Sequence, residues 1–165
     1  MPNTQPHQAF TGTVSNMDVL VVDDQALSRE VLSEALRPLG CRIHSAAGGV
    51  EALAELKLRH YPLMFIDLMM PGMAGYELVR AIRRMEQEKH LHPATIIAYS
   101  GTLYAENGQL VELEQQRLSE HGFNDGIAKP LNLTTLQTII DNHFPNGAPI
   151  TPTNPSTVPS PNMLA

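Results

Sequence analysis

Short apolar runs alternate five times with amphipathic stretches along this chain, and this alternation restricts its fold more than any other feature. Val19-Leu20-Val21-Val22 is a continuous, largely β-branched run that ends in acid, as expected of a strand buried on both faces. Leu63-Met64-Phe65-Ile66 has the same character. Strands that alternate with helices predict parallel pairing through right-handed crossovers. We therefore predict an α/β fold, a doubly wound five-stranded parallel sheet with helices on both faces.

The predicted elements share one folded region, because every Asp, Glu, Lys and Arg lies between Asp18 and Asp141. We expect strands at 19–22, 42–46, 63–66, 94–99 and 123–128, helices at 25–37, 50–59, 103–120 and 133–143, and a further helix carrying Leu78, Val79, Ile82 and Met85.

The folded domain is expected to occupy residues 17–144. Residues 1–16 and the Pro-, Thr-, Ser- and Asn-rich residues 145–165 are expected to be a flexible extension and a disordered tail. Such segments have too little apolar surface to offset the entropy lost on ordering.

Composition and charge exclude several classes of protein. No apolar run approaches the roughly 20 residues that a membrane span needs, and no targeting signal is visible, so we expect no membrane association and a cytoplasmic location. A net charge of −6 argues against direct nucleic-acid binding. Cys41, the single cysteine, is interpreted as a small buried thiol, and the seven histidines show no paired metal spacing.

Polar side chains follow four of the predicted strands. Asp23 and Asp24 follow the first strand, Asp67 the third, Ser100 the fourth and Lys129 the fifth. Each alone is readily explained as a cap or a turn residue. Because ligands of such sheets bind outside the carboxyl ends of the strands, the five together predict a site at one edge.

The residue types indicate phosphoryl chemistry. Three clustered carboxylates repel one another unless a cation lies among them, and Mg²⁺ suits oxygen ligands while keeping coordination open for a phosphoryl group. A carboxylate can also act as the nucleophile and form an acyl phosphate. Lys129 and Ser100 are suited to contact phosphate oxygens. No GxxxxGK[ST] loop is present, so ATP is not expected as the direct donor.

Four motifs resemble those of response regulator receiver domains of two-component signal transduction systems. They are Val21-Val22-Asp23-Asp24-Gln25, Phe65-Ile66-Asp67-Leu68-Met69-Met70-Pro71-Gly72-Met73, Ser100-Gly101 and Lys129-Pro130. They occur in the family's order within residues 17–144, and the resemblance implies the flavodoxin-like receiver fold.

By this resemblance, the acidic residues bind magnesium and accept the phosphoryl group. Asp67 would be the phosphoacceptor and a metal ligand. Asp24 would bind the ion directly, Asp23 mainly through water, and the backbone carbonyl of Met69 would supply a third contact.

The same resemblance gives roles to the remaining motif residues. Ser100 would be the switch hydroxyl, Gly101 would leave room for the phosphoryl group, Lys129 would contact the phosphate, and the bond to Pro130 would be cis. The donor would be a phosphohistidine of a histidine kinase or histidine phosphotransfer protein. The output would be a protein contact, with a downstream protein target as the expected partner, a phosphate relay or a phosphate sink. The chain would be no enzyme beyond assisting its own phosphorylation and dephosphorylation.

Three departures from the family pattern bear on signalling. Gly126 stands where the family usually has an aromatic residue, Ala74 where it often has Asp, and the chain between Ser100 and Lys129 is some two helical turns longer than usual. Gly126 has no side chain to move. We therefore expect phosphorylation to reorder residues 101–121, with Tyr104 supplying the missing aromatic.

Two other functions stay open at this stage. A phosphorylation-independent receiver-like interaction module would retain the fold, although the intact acidic pair, acceptor, hydroxyl and lysine argue against it. An aspartyl-phosphate phosphatase of the haloacid-dehalogenase type also uses an Asp nucleophile. Such enzymes normally carry an acid two residues later, where this chain has Met69, and a cap domain for which no residues remain.

Overall fold

The computed structural model describes residues 14–107 and 109–147. Residues 1–13 and 148–165, where most of the expected flexible extension and tail fall, lie outside the described residues. Val14 is buried with the core, so the packed domain extends three residues before the expected boundary at residue 17. Within the described ranges, no helix is both long and apolar enough to cross a membrane.

Five parallel strands form one sheet, as predicted. They are β1 (Asp18–Val22), β2 (Arg42–Ala46), β3 (Leu63–Ile66), β4 (Thr95–Ser100) and β7 (Asp125–Ala128), in the order β2-β1-β3-β4-β7. A separate antiparallel hairpin lies between β4 and β7, formed by β5 (Ala105–Glu106) and β6 (Gln109–Leu110).

In the described part of the chain, five α-helices cover the two faces of this sheet. They are α1 (Ala26–Leu36), α2 (Gly49–Leu58), α3 (Gly75–Glu88), α4 (Glu112–His121) and α5 (Leu133–His143). A 3₁₀ turn, Arg37–Leu39, continues α1 and ends at Gly40, whose φ of +80° suits glycine.

The core consists of two hydrophobic layers, one on each side of the sheet. Successive residues of a strand point to opposite faces, so Val19 belongs to the layer that contains residues of α1 and α5, whereas Leu20 belongs to the layer that contains residues of α2, α3 and α4. β1, β3 and β4 are therefore buried along almost their whole length, and the continuous apolar runs at 19–22 and 63–66 predicted this for β1 and β3.

The predicted helix over 103–120 is wrong in its first half. The structure has the β5–β6 hairpin there, and α4 begins only at Glu112. Asn107 has a φ of +51°, a left-handed conformation that a helix does not allow. The hairpin lets Leu103 and Leu110 turn inward together, and both are buried.

Cys41 is half-buried rather than fully buried. It lies just before β2, a strand at the edge of the sheet. Its Sγ lies 3.8 Å from the carbonyl oxygen of Val14, and burial raises the pKa of the thiol to about 11.

Candidate functional site

The three predicted carboxylates meet at the carboxyl edge of the sheet. Asp23 and Asp24 follow β1 and Asp67 follows the adjacent β3, and one carboxylate oxygen from each lies within 4.8 Å of the others. The Asp67 amide donates to the carbonyl of Val22 at 2.9 Å, which aligns the two strand ends. Asp23 and Asp67 are buried and Asp24 is exposed, so the cluster opens to solvent on one side. These oxygens are the donor set that suits a hard divalent cation.

Lys129 brings a cation to the two buried carboxylates. Its Nζ donates to Asp23 Oδ2 at 2.7 Å and lies 3.6 Å from Asp67 Oδ2. The same Nζ donates to Ser28 Oγ at 3.2 Å and lies 5.1 Å from the centroid of the Tyr99 ring. Burial lowers the pKa of Lys129, but the hydrogen bond to Asp23 and the charge of Asp67 outweigh it, so the pKa is raised. The ammonium is therefore charged at neutral pH.

Ser100 ends β4 beside this cluster and is almost fully buried. Its Oγ lies 3.2 Å from Thr102 Oγ1, and the amide of Thr102 points to it at 3.4 Å. The Lys129 amide donates to the Ser100 carbonyl at 3.0 Å, and the Lys129–Pro130 bond is cis. Apart from its two chain neighbours, a Cβ at Gly101 would meet nothing within 4 Å, so the space in front of Gly101 is open.

The loop after Asp67 contacts the carboxylate oxygen that does not face Lys129. The amide of Met69 lies 3.4 Å from Asp67 Oδ1, and the Met69 side chain is exposed at the rim. Gly75 begins α3 so close to this loop that a Cβ there would lie 2.3 Å from the Asp67 carbonyl oxygen. Only glycine allows α3 to start against the strand end.

Several residues of the site were not predicted from the sequence. Ser28 and Thr102 place hydroxyls on Lys129 and Ser100, and Arg29 donates to the backbone carbonyl of Asp23 at 2.7 Å. Ser28 and Arg29 belong to the first turn of α1, directly after the acidic pair. Their position next to the carboxyl edge was the signal that could have identified them, because helices of this fold begin there.

The space above Gly126 is filled by aliphatic side chains. A Cβ at Gly126 would lie 2.5 Å from a terminal carbon of Leu118, 2.8 Å from one of Leu110 and 3.2 Å from one of Leu103. Tyr104 is 59% exposed and its hydroxyl donates to Glu106. In this conformation Leu103, Leu110 and Leu118, and not Tyr104, cover Gly126.

Residues 19–141 match the family model described as the response regulator receiver domain. The chain belongs to this family. Among related proteins, hybrid signal transduction histidine kinase L of Dictyostelium discoideum is 32% identical over 132 residues, which are 78% of this chain and 7% of the kinase. Chemotaxis protein CheY-3 of Vibrio cholerae is 35% identical over 130 residues, 78% of this chain and 92% of CheY-3. The receiver chain thus spans a small part of the hybrid kinase and nearly all of CheY-3.

Solved receiver structures share the fold. A co-crystal structure of the Saccharomyces cerevisiae histidine phosphotransfer protein Ypd1 with the receiver domain of Ssk1 matches with a TM-score of 0.70 and 26% identity, over 83% of this chain and 94% of that one. The Thermotoga maritima response regulator TrrA, in complex with Mg(2+)-BeF, matches with a TM-score of 0.61 and 28% identity, over 76% and 97% of the two chains.

Proposed function

We propose that Asp67 accepts a phosphoryl group from a phosphohistidine and that the modification changes a surface that other proteins read. The observation that carries this proposal is the position of Asp67. It is a buried carboxylate at a strand end, with two further carboxylates within 4.8 Å and the Lys129 ammonium 3.6 Å away. An acid in such a setting can attack phosphorus while the neighbouring cation offsets the charge that it acquires.

In the proposed transfer, one oxygen of Asp67 forms a bond to phosphorus while the bond from phosphorus to the donor imidazole nitrogen breaks. The electron pair of the broken bond stays on that nitrogen. The product is an acyl phosphate on Asp67. Lys129 can donate to one of its oxygens and Ser100, beside the open space at Gly101, to another.

The carboxylates fit a magnesium ion. Asp23, Asp24 and Asp67 would hold it, with the backbone carbonyl of Met69 as a further ligand. When bound, the ion would offset the negative charge of the acids and of the incoming phosphoryl group. The similar TrrA structure is described as a complex with Mg(2+)-BeF, which supports this proposal.

The partners that we propose are a histidine kinase or histidine phosphotransfer protein as the donor and a downstream protein as the target, in the cytoplasm. The similarity to the Ssk1 receiver, which was crystallised with Ypd1, supports a donor of this kind. The chain would act as a phosphoacceptor that assists its own phosphorylation and dephosphorylation rather than as an enzyme with a separate substrate.

Phosphate uptake from a small phosphodonor such as acetyl phosphate, with and without a chelator, tests the magnesium requirement. We expect the chelator to stop labelling, because without a cation the carboxylates face an anionic donor unshielded. Labelling should return when Mg²⁺ is added in excess. Full labelling in the chelator would contradict the assignment of the metal site.

A further inference from the structure

A groove with an apolar floor lies near the amino ends of the strands, at the end of the sheet opposite to Asp67. It runs between the carboxyl ends of α2 and α3 and has a volume of about 240 Å³. Its floor and walls are Leu56, Met64, Ile82 and Met85. Ligand pockets for small molecules usually measure about 300–1,000 Å³, so this groove suits one or two apolar side chains of a protein segment better than a cofactor.

Two large apolar side chains at the groove are exposed to solvent. Leu58, in the last turn of α2, is 76% exposed, and Leu91, which follows α3, is 40% exposed. Single exposed leucines are ordinary on protein surfaces. These two line the same apolar groove, and together they extend it outward.

The rim of the groove is basic although the chain as a whole is acidic. Lys57, Arg59 and Lys89 line it, together with His60, while the chain carries a net charge of −6. Among the described residues, no carboxylate lies within 4.0 Å of these three cations.

Glu86, the one carboxylate among the described residues that line the groove, already has hydrogen-bond partners. Glu86 is buried, accepts from Arg83 at 2.9 Å and from the amide of Ala94 at 2.8 Å, and so offsets none of the rim charge. The negative carboxyl ends of α2 and α3 favour cations nearby. That effect explains the cations but not the exposed leucines beside them.

We propose that this groove docks an amphipathic helix of a partner protein that presents apolar side chains flanked by Glu or Asp. The apolar side chains would enter between Leu58 and Leu91, and the carboxylates would meet Lys57, Arg59 and Lys89. Because Met64 precedes Asp67 by three residues of an extended strand, the groove lies about 10 Å or more from the acceptor. That separation exceeds the Debye length of about 8 Å at physiological salt, so a charge added at Asp67 should change docking little.

The probe is a fluorescein-labelled, end-capped helical peptide of about four turns, with leucines at i, i+3 and i+4, glutamates flanking them, and alanines and glutamines elsewhere. The control peptide has the same composition with the leucines dispersed around the helix. Fluorescence polarisation should show saturable binding of the first peptide and at least about tenfold weaker binding of the second. Beryllofluoride should change the affinity by less than about twofold.

Two double variants separate binding at the groove from general charge attraction. K57E/K89E should weaken binding by at least about tenfold, whereas R80E/R84E, with the same change of charge on exposed positions of α3 outside the groove, should weaken it by less than about threefold. Leu58→Ser, at an exposed position, should also weaken binding. Circular dichroism of each variant establishes that it is folded.

Equal loss in the two charge variants, equal affinity for the two peptides, or no binding up to about 1 mM peptide would overturn the proposal. A concentration-dependent dimer that K57E/K89E abolishes would assign the groove to a second copy of the chain and would also overturn it. Since the comparisons of peptides and variants are made on the unmodified protein, their failure is distinguishable from failure of the proposed function.

Discussion

Lys129 determines the charge balance of the acceptor site. It is paired with Asp23 at 2.7 Å and lies farther, at 3.6 Å, from Asp67. The lysine is therefore poised beside the acceptor while it is held by its neighbour. A phosphoryl group on Asp67 would add negative charge within its reach and compete for the ammonium.

Replacing Lys129 by Ala should leave phosphorylation measurable but separate it from the conformational response, because no ammonium then links the phosphate to the end of β7. The measurement compares amide chemical shifts with and without beryllofluoride in both proteins. The native chain should show changes along β7 and its neighbours that the variant lacks. Identical shift changes in the two proteins would refute this role.

Gly126 is a packing position. Its φ is not in the left-handed region, so the need for glycine there comes from the three leucine side chains that a Cβ would meet. Gly126→Ala should lower the free energy of unfolding by about 1–3 kcal/mol through overpacking, as urea denaturation would measure. Gly101→Ala is the matched control, since a Cβ there meets nothing within 4 Å.

A double-mutant cycle with Leu110→Ala tests whether the Leu110 side chain causes the loss of stability in Gly126→Ala. Removing the Leu110 side chain opens space above Gly126, so Gly126→Ala should cost less in that background than in the native chain. An equal cost in both backgrounds would show that the packing of Leu110 is not what excludes a side chain.

At the scale of secondary-structure elements, the segment that contains the β5–β6 hairpin and α4 packs over Gly126 of β7. Leu103, Leu110 and Leu118 extend from this segment over Gly126. Thr102, at its start, contacts the Ser100 hydroxyl at 3.2 Å. The segment is thus in contact with both the acceptor site and β7, as an element that couples them would have to be.

Phosphorylation is expected to reorder residues 101–121, because Gly126 offers no side chain that could move instead. Hydrogen exchange on the free and beryllofluoride-bound forms measures this, since a reordered segment changes its opening free energy. Protection should change across 101–121. Changes confined to residues 123–128 would rule the idea out.

The hairpin was not predicted because two signals conflicted in this segment. Leu103 and Leu110 are seven residues apart, a spacing that places them on one face of a helix. Asn107-Gly108 between them favours a two-residue hairpin turn instead. Burial of both leucines against β7 stabilises the hairpin, and this tertiary contact cannot be read from periodicity.

For the molecule as a whole, alternation of buried strands and helices was sufficient to predict the sheet, its two covering layers and the edge where the site lies. The rule that ligands bind at the carboxyl ends of strands placed Asp23, Asp67 and Lys129 together. Contacts made by Ser28 and Thr102 were not predicted, because they depend on side-chain directions at a helix start and in a loop. Small polar residues in such places are also ordinary caps and turn formers.

Phosphate incorporation by the Asp67→Asn variant tests the proposed function most directly. The amide cannot attack phosphorus, and it is similar in size to the carboxylate, so the fold should persist, as circular dichroism can establish. With acetyl phosphate and Mg²⁺, the native chain should take up one phosphoryl group and the variant none, as intact-protein mass spectrometry would show. Labelling of the variant to the native extent would contradict the assignment of Asp67 as the acceptor.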